Sequence, residues 1–263
     1  MVRRTLLIVL ALVSVLTLSG SVGSAGDFRV ETDILYGAEK VPSVQYLTLF
    51  QDNTVYDYRE TSPKEITMYE ILRNRIVLLD ETRKVKVTLT AEQLVRTAAD
   101  MKSHVDETNP LFFFACHPVF DRTLDEKTNL LTLSSKQLTY RIHGSKPKQP
   151  DAVRRYQEFA DWSARLSALR PGGLPPFARI EVNTVIAEKG WLPDIVERNV
   201  TTGTLLNQKK LDLRTKHIPN WTLSETDAKR IARAGDYLVT FTEVPFAEYR
   251  DPQKAPANKQ AKR

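Results

Sequence analysis

An α+β fold is predicted, built on an antiparallel sheet of about ten strands with three or four helices packed against it. Two observations predict it. Period-two alternation of apolar and polar residues recurs along the chain, and the alternating segments follow one another with only short turns between them. Such runs of consecutive strands pair as hairpins rather than as a doubly wound parallel sheet, whose strands would alternate with helices.

The elements follow in order. Phe28, Val30, Thr32, Ile34 and Tyr36 share one parity and Arg29, Glu31 and Asp33 the other, the pattern of a strand with one dry and one wet face. Leu47 and Leu49 precede Asp52 and Asn53, which tolerate positive φ and are expected to turn the chain into a strand holding Val55, Tyr56 and Tyr58. Strands are expected over Ile66 to Leu72 and Ile76 to Leu79, and another where Val85, Val87 and Leu89 alternate with Lys84, Lys86 and Thr88. The period then changes. Thr90 and Gln93 form a capping box, and Leu94, Ala98, Met101 and Val105 follow at helical spacing until Asn109 and Pro110.

Strands resume at Leu111 to Ala115, around Leu131 and Leu133, and at Leu138, Tyr140 and Ile142. From Asp151 to Leu169 a wide aromatic stripe of Tyr156, Phe159, Ala160, Trp162, Leu166 and Leu169 opposes Arg154, Gln157, Glu158, Asp161 and Arg165, the clearest helix in the chain. The segment after Pro175 and Pro176 alternates like a strand at Ile180, Val182, Thr184 and Ile186, but the paired prolines and Gly190 favour a helix. Pro193 to Thr201 reads as a strand. Its hairpin partner carries Leu211, Leu213 and Thr215 against Lys210, Asp212, Arg214 and Lys216. Ser224 and Asp227 open a short helix closed by Gly235, and Tyr237 to Val244 reads as a last strand. The pattern is expected to keep one face of the sheet in and one out.

Arg3 and Arg4 precede an apolar stretch of 14 residues from Thr5 to Leu18, followed by small residues. This is the layout of a secretory signal, with cleavage expected after Ala25. The stretch falls short of the roughly 20 residues of a membrane-spanning helix; the alternative is an uncleaved N-terminal anchor. Either form places the remaining chain outside the cytoplasm, periplasmic or extracellular. With no Cys after the apolar run, no lipoprotein anchor is expected. The expected organisation is a signal peptide over residues 1–25, one domain over 26–250 and a basic, disordered tail over 251–263.

Of 38 basic and 32 acidic residues, Arg3 and Arg4 belong to the leader, and the last thirteen residues hold four basic and one acidic, so residues 27–250 net only +1. No nucleic-acid partner is expected of such a body. The tail suits peripheral contact with an anionic surface. Cys116 is the single cysteine, so stability rests on burial and not on an intrachain disulfide.

No residues spell out a reaction. If FFFAC is extended, Cys116 and His117 point to opposite faces and form no nucleophile–base pair. His104, His117, His143 and His217 lack partners at ligand spacing, so neither metal nor other cofactor is expected, and each reads as a surface or turn residue. No phosphate-binding or nucleophile-elbow motif occurs; an enzyme would need a site assembled from distant residues. Asn199 and Asn220 match the glycosylation sequon. The remaining candidate is an apolar cavity lined by Phe112, Phe114, Tyr156, Phe159, Trp162 and Leu166, with a filled core as the alternative.

The order of a leader, a meander, a helix midway, further strands and helices, and a closing hairpin opening at Pro193 resembles the bacterial periplasmic lipoprotein carriers and outer-membrane lipoprotein-sorting proteins, the LolA/LolB-like group. The resemblance implies a curved antiparallel sheet, an incomplete barrel whose helices enclose a cavity for acyl chains. It implies a noncatalytic protein that shields a lipid or lipoprotein tail. The other reading is an envelope structural or protein-interaction module with a filled core. The aromatic helix and PGGLPP turn within residues 151–190 depart from the carriers, and no binding residue of the family maps onto this chain.

Overall fold

The computed structural model describes residues 26–204 and 207–251. The expected signal peptide and nearly all of the basic tail lie outside the described residues. Twelve strands form one sheet: β1 (Phe28–Tyr36), β2 (Val44–Gln51), β3 (Thr54–Arg59), β4 (Glu65–Glu70), β5 (Arg75–Asp80), β6 (Val85–Thr90), β7 (Asp121–Asp125), β8 (Leu130–Ser134), β9 (Leu138–Ser145), β10 (Leu192–Thr204), β11 (Asn207–Asn220) and β12 (Thr242–Glu243). Among the described residues six α-helices accompany it: α1 (Ala91–Ser103), α2 (Pro110–Cys116), α3 (Ala152–Ala168), α4 (Phe177–Glu188), α5 (Glu225–Thr240) and α6 (Phe246–Arg250).

The strand order is β12-β6-β5-β4-β3-β2-β1-β11-β10-β9-β8-β7. Two meanders, β1 to β6 and β7 to β11, join where β1 pairs antiparallel with β11. Among the described residues only β12 runs parallel to its neighbour, β6, so the sheet is mixed rather than wholly antiparallel. It stays open, with β12 and β7 at its edges. The turn between β2 and β3 forms as expected, Asp52 adopting φ 47°, and Thr90 closes its capping box with Gln93.

Four expectations need correction. The segment from Leu111 to Ala115 is helical, because Asn109 and Pro110 do not end α1 but start α2: the Asn109 side chain accepts from Phe112 N at 3.2 Å and Pro110 takes the first helical position. Helix α1 itself stops at Ser103. Helix α5 does not close at Gly235 but runs to Thr240, turning most of the expected last strand into helix. Ile231, Ala234, Tyr237, Leu238 and Phe241 repeat at helical spacing in one apolar cluster, and that burial outweighs the roughly 1 kcal/mol cost of an interior glycine. Strand β7 has no counterpart in the sequence pattern because it carries no apolar alternation: four of its five residues are exposed, and its register comes from pairing with β8.

The fourth correction concerns the sheet's two faces. In β2, β4 and β5 consecutive residues are buried, so this half of the sheet is covered on both sides. Helix α5 packs on the outer face against Leu47, Leu49, Tyr58, Ile66, Met68 and Val77. Arg29 of β1 reaches the same layer and pairs with buried Asp227 at 3.2 Å. The inner face holds α3 over Phe28, Val30, Phe50, Val55 and Tyr69, while α2 and α4 cover β8 to β10 through Leu131, Leu133, Ile142, Val182 and Ile186. Asn183 Nδ2 donates to Asp161 at 2.8 Å and ties α4 to α3.

Candidate functional site

The inner face is dry at one end and open at the other. Along β1 the inward parity begins with Phe28 and Val30, both buried, passes through half-buried Thr32 and Ile34, and ends at Tyr36, 41% exposed. Strand β2 runs the opposite way and shows the same gradient, from buried Phe50 and Thr48 to half-buried Tyr46. On β11, Leu213 is half-buried and Leu211 is 48% exposed. Helix α3 therefore lies close to the sheet at the Phe28 end and leaves a space beyond it. That space is a cavity of about 930 Å³ bounded by β1 to β4, β9 to β11, α2, α3, the α3–α4 loop and the start of α4. Its volume lies near the upper end of the roughly 300–1,000 Å³ typical of small-molecule sites.

Exposed Tyr36, Thr202, Lys209 and Leu211 on the strands, and Pro171 and Gly172 on the loop, mark the mouth. The loop depends on two glycines for different reasons. Gly172 adopts φ +74°, whereas a Cβ on Gly173 would lie 2.3 Å from the Ser167 carbonyl oxygen. A larger residue at Gly172 would meet open space but a strained backbone, whereas one at Gly173 would have to move the rim.

Of the residues expected to line a cavity, Tyr156, Phe159 and Leu166 do so; Phe112, Phe114 and Trp162 lie outside the lining. The helical geometry of α2 presents Leu111 and Ala115 to the space instead, and Phe114 packs edge-on against Phe120 at 5.0 Å. Trp162 packs at the margin of the α3 cluster with the Arg165 guanidinium 4.8 Å from its ring. Cys116 is fully buried and its thiol lies 3.6 Å from the Met101 carbonyl. Burial raises its pKa. His117, at the C-cap of α2, is exposed.

The lining also holds polar groups that the sequence pattern concealed. Asp57, Arg59, Glu65 and Thr67 face inward from β3 and β4. The more apolar parity of those strands, Tyr58, Ile66 and Met68, packs under α5, so the seemingly wet parity is the cavity wall. Thr48 Oγ1 donates to Asp57 at 2.8 Å. Burial outweighs that bond and Arg170's nearby charge, pushing the carboxyl up to about 7. Glu65 accepts from Arg170 at 2.8 Å and from the Tyr249 hydroxyl at 2.9 Å, joining the loop and α6 to β4.

His217 is a wall residue, not a surface or turn residue. Thr215 Oγ1 donates to the Val196 carbonyl at 3.3 Å and so accepts from His217 Nε2–H at 3.1 Å. That leaves Nδ1 as acceptor for Tyr156 at 3.2 Å and Thr32 at 3.1 Å. Burial, with Arg179 nearby, lowers its pKa to about 3, so the ring is neutral. Both ring nitrogens are engaged. Continuing the inward parity of Leu211, Leu213 and Thr215 by one step would have placed His217 here.

Among the described residues no group of three or more His, Cys, Asp or Glu is placed to hold a metal ion. No helix of the described residues is long and apolar enough to cross a membrane. Of the sequon residues, Asn199 is engaged by Arg141 at 2.9 Å and Asp212 at 2.7 Å on β10, while Asn220 is exposed at the end of β11. Compared with protein-family models and with curated protein sequences, the chain matches none of them.

Proposed function

We propose that this chain is an exported, noncatalytic binding protein that shields a lipid or other acyl-chain molecule in the cavity between its sheet and inner helices. One observation carries the reading: the inward parity of β1, β2 and β11 leaves Ile34, Leu211 and Leu213 only partly covered beside a space of about 930 Å³. Fully burying an aliphatic side chain is worth about 1.5–3 kcal/mol, and an apolar ligand would supply that burial. A filled-core interaction module offers no role for such a space. The resemblance to the lipoprotein carriers rests on the order of elements read from the sequence, and under this reading the open sheet corresponds to their incomplete barrel. Export rests on the leader sequence, and contact of the basic tail with an anionic surface rests on its charge.

The test is native mass spectrometry of protein purified without detergent and then incubated with envelope lipid extract. A stoichiometric added lipid mass, absent in an Ala164→Trp variant that fills the cavity from α3, is expected. A persistently apo mass in the wild type would overturn the reading.

A further inference from the structure

The cavity's charges are not balanced. Its wall carries Arg59, Arg170, Arg179, Arg198, Lys209 and Lys210 against only two carboxylates, Asp57 and Glu65. Glu65 is already taken by Arg170 and Tyr249, and Asp57 accepts from Thr48. Arg59, Arg179 and Arg198 form no ion pair with any carboxylate among the described residues. Moreover, the Nε atoms of Arg59 and Arg198 are buried without a hydrogen-bond partner. A buried donor left unpaired costs free energy, which an acceptor within the cavity would remove.

Two of these cations belong to residues that neighbour Tyr140. Arg198 on β10 is the direct cross-strand partner of Tyr140 on β9. From the opposite side, on α4, the Arg179 guanidinium lies 5.8 Å from the centroid of the same ring. Tyr140 thus neighbours two arginines, neither of them in an ion pair among the described residues. In the same cross-strand row, Leu213 pairs with Arg198 and Tyr36 pairs with Leu213. The basic pair therefore borders the partly covered apolar stretch of the wall, and Leu166 of α3 lines the same cavity.

We propose, building on the binding function above, that the ligand is an anionic amphiphile. Its phosphate or carboxylate headgroup sits between Arg179 and Arg198 beside Tyr140, and its chain lies along Leu213, Ile34 and Leu166. Paired guanidinium groups suit such a headgroup because each presents a planar fork of donors to anionic oxygens. Neutral or cationic amphiphiles of equal chain length would leave both guanidinium groups unpaired.

The proposal is tested by measuring the affinities of dodecyl phosphate, dodecyl maltoside and dodecyltrimethylammonium, each below its micellar concentration, and of inorganic phosphate. Wild-type protein is compared with Arg179→Gln, Arg198→Gln and the double variant, with circular dichroism to verify the fold. Dodecyl phosphate is expected to bind at least about tenfold more tightly than the other two amphiphiles, with inorganic phosphate far weaker. The double variant should lose about tenfold for dodecyl phosphate and keep its affinity for dodecyl maltoside. Equal affinities for the three amphiphiles, or an undiminished affinity of the double variant for dodecyl phosphate, would overturn the headgroup assignment while leaving the binding function standing. Inorganic phosphate binding as tightly as dodecyl phosphate would overturn the amphiphile. Absence of binding by all three amphiphiles would overturn both the assignment and the binding function.

Discussion

The Tyr156 hydroxyl donates to His217 Nδ1 across 3.2 Å, linking α3 to β11 where the inner helix and the second meander meet. Tyr156 thereby does more than fill apolar space. Burial raises its phenol to about 12, so it remains a donor throughout the physiological range. Replacing it with Phe removes one donor to a neutral imidazole that still has Thr32. Urea unfolding of Tyr156→Phe is expected to show a loss of about 1 kcal/mol with an unchanged m-value.

His217 and Asp57 give opposing pH dependences. His217 falls from 6.5 to about 3 on folding, so the unfolded chain binds the extra proton; its contribution is complete above pH 6.5 and is lost as pH falls toward 3. Asp57 rises from 3.8 to about 7, so the folded chain holds the extra proton; its contribution is greatest below pH 3.8 and declines as pH rises toward 7. Between pH 3.8 and 6.5 the two largely cancel. Stability of Asp57→Asn should rise with pH across that window, and that of His217→Gln should fall, each by about 1 kcal/mol per pH unit. Urea unfolding at half-unit pH steps checks both; parallel profiles for the two variants would contradict the assignment.

Arg155 fastens the start of the domain. It is 5% exposed, and its guanidinium donates to the Gly26 carbonyl at 2.7 Å and the Asp52 carbonyl at 3.0 Å. It also lies 5.3 Å from the Phe28 ring centroid and 5.8 Å from that of Phe50, two rings stacked on each other. Arg155→Met keeps much of the stem and strands two carbonyls, with an expected cost of about 3 kcal/mol. Arg155→Lys should recover less than half of it, because an ammonium lacks the planar fork that spans both acceptors. Thermal and urea unfolding measure the ranking.

The two loop glycines separate by mechanism. Gly172→Ala introduces left-handed strain with no clash, at an expected cost of about 1 kcal/mol. Gly173→Ala drives a methyl into the Ser167 carbonyl, so it is expected to cost about 2–3 kcal/mol and to shift the cavity rim. Unfolding free energies of the pair, together with dodecyl maltoside affinity, distinguish the two effects.

Much of the fold is legible because period-two parity and caps are local signals. The Thr90 capping box, the aromatic stripe of α3 and the turn at Asp52 need only neighbouring residues. Tertiary competition hid the rest. Gly235 reads as a stop until Ala234 and Phe241 meet the sheet's outer face, and FFFAC reads as a strand unless Asn109 is recognised as a cap for the following helix. The site was less legible than the fold for one physical reason. A cavity wall tolerates polar residues that a packed core rejects, so Asp57 and Arg59 sit on a parity that resembles a solvated surface, and Arg198 interrupts the apolar parity of Val196 and Val200.

The central claim is that the space under α3 takes an apolar chain, and calorimetric titration of dodecyl maltoside tests it most directly. Wild-type protein should bind one molecule with a negative heat-capacity change, the mark of apolar burial. Trp162→Glu, altered outside the lining, should bind equally well, and Ala164→Trp should not bind. Equal binding by wild type and Ala164→Trp, or no binding by a folded wild type, would contradict the account.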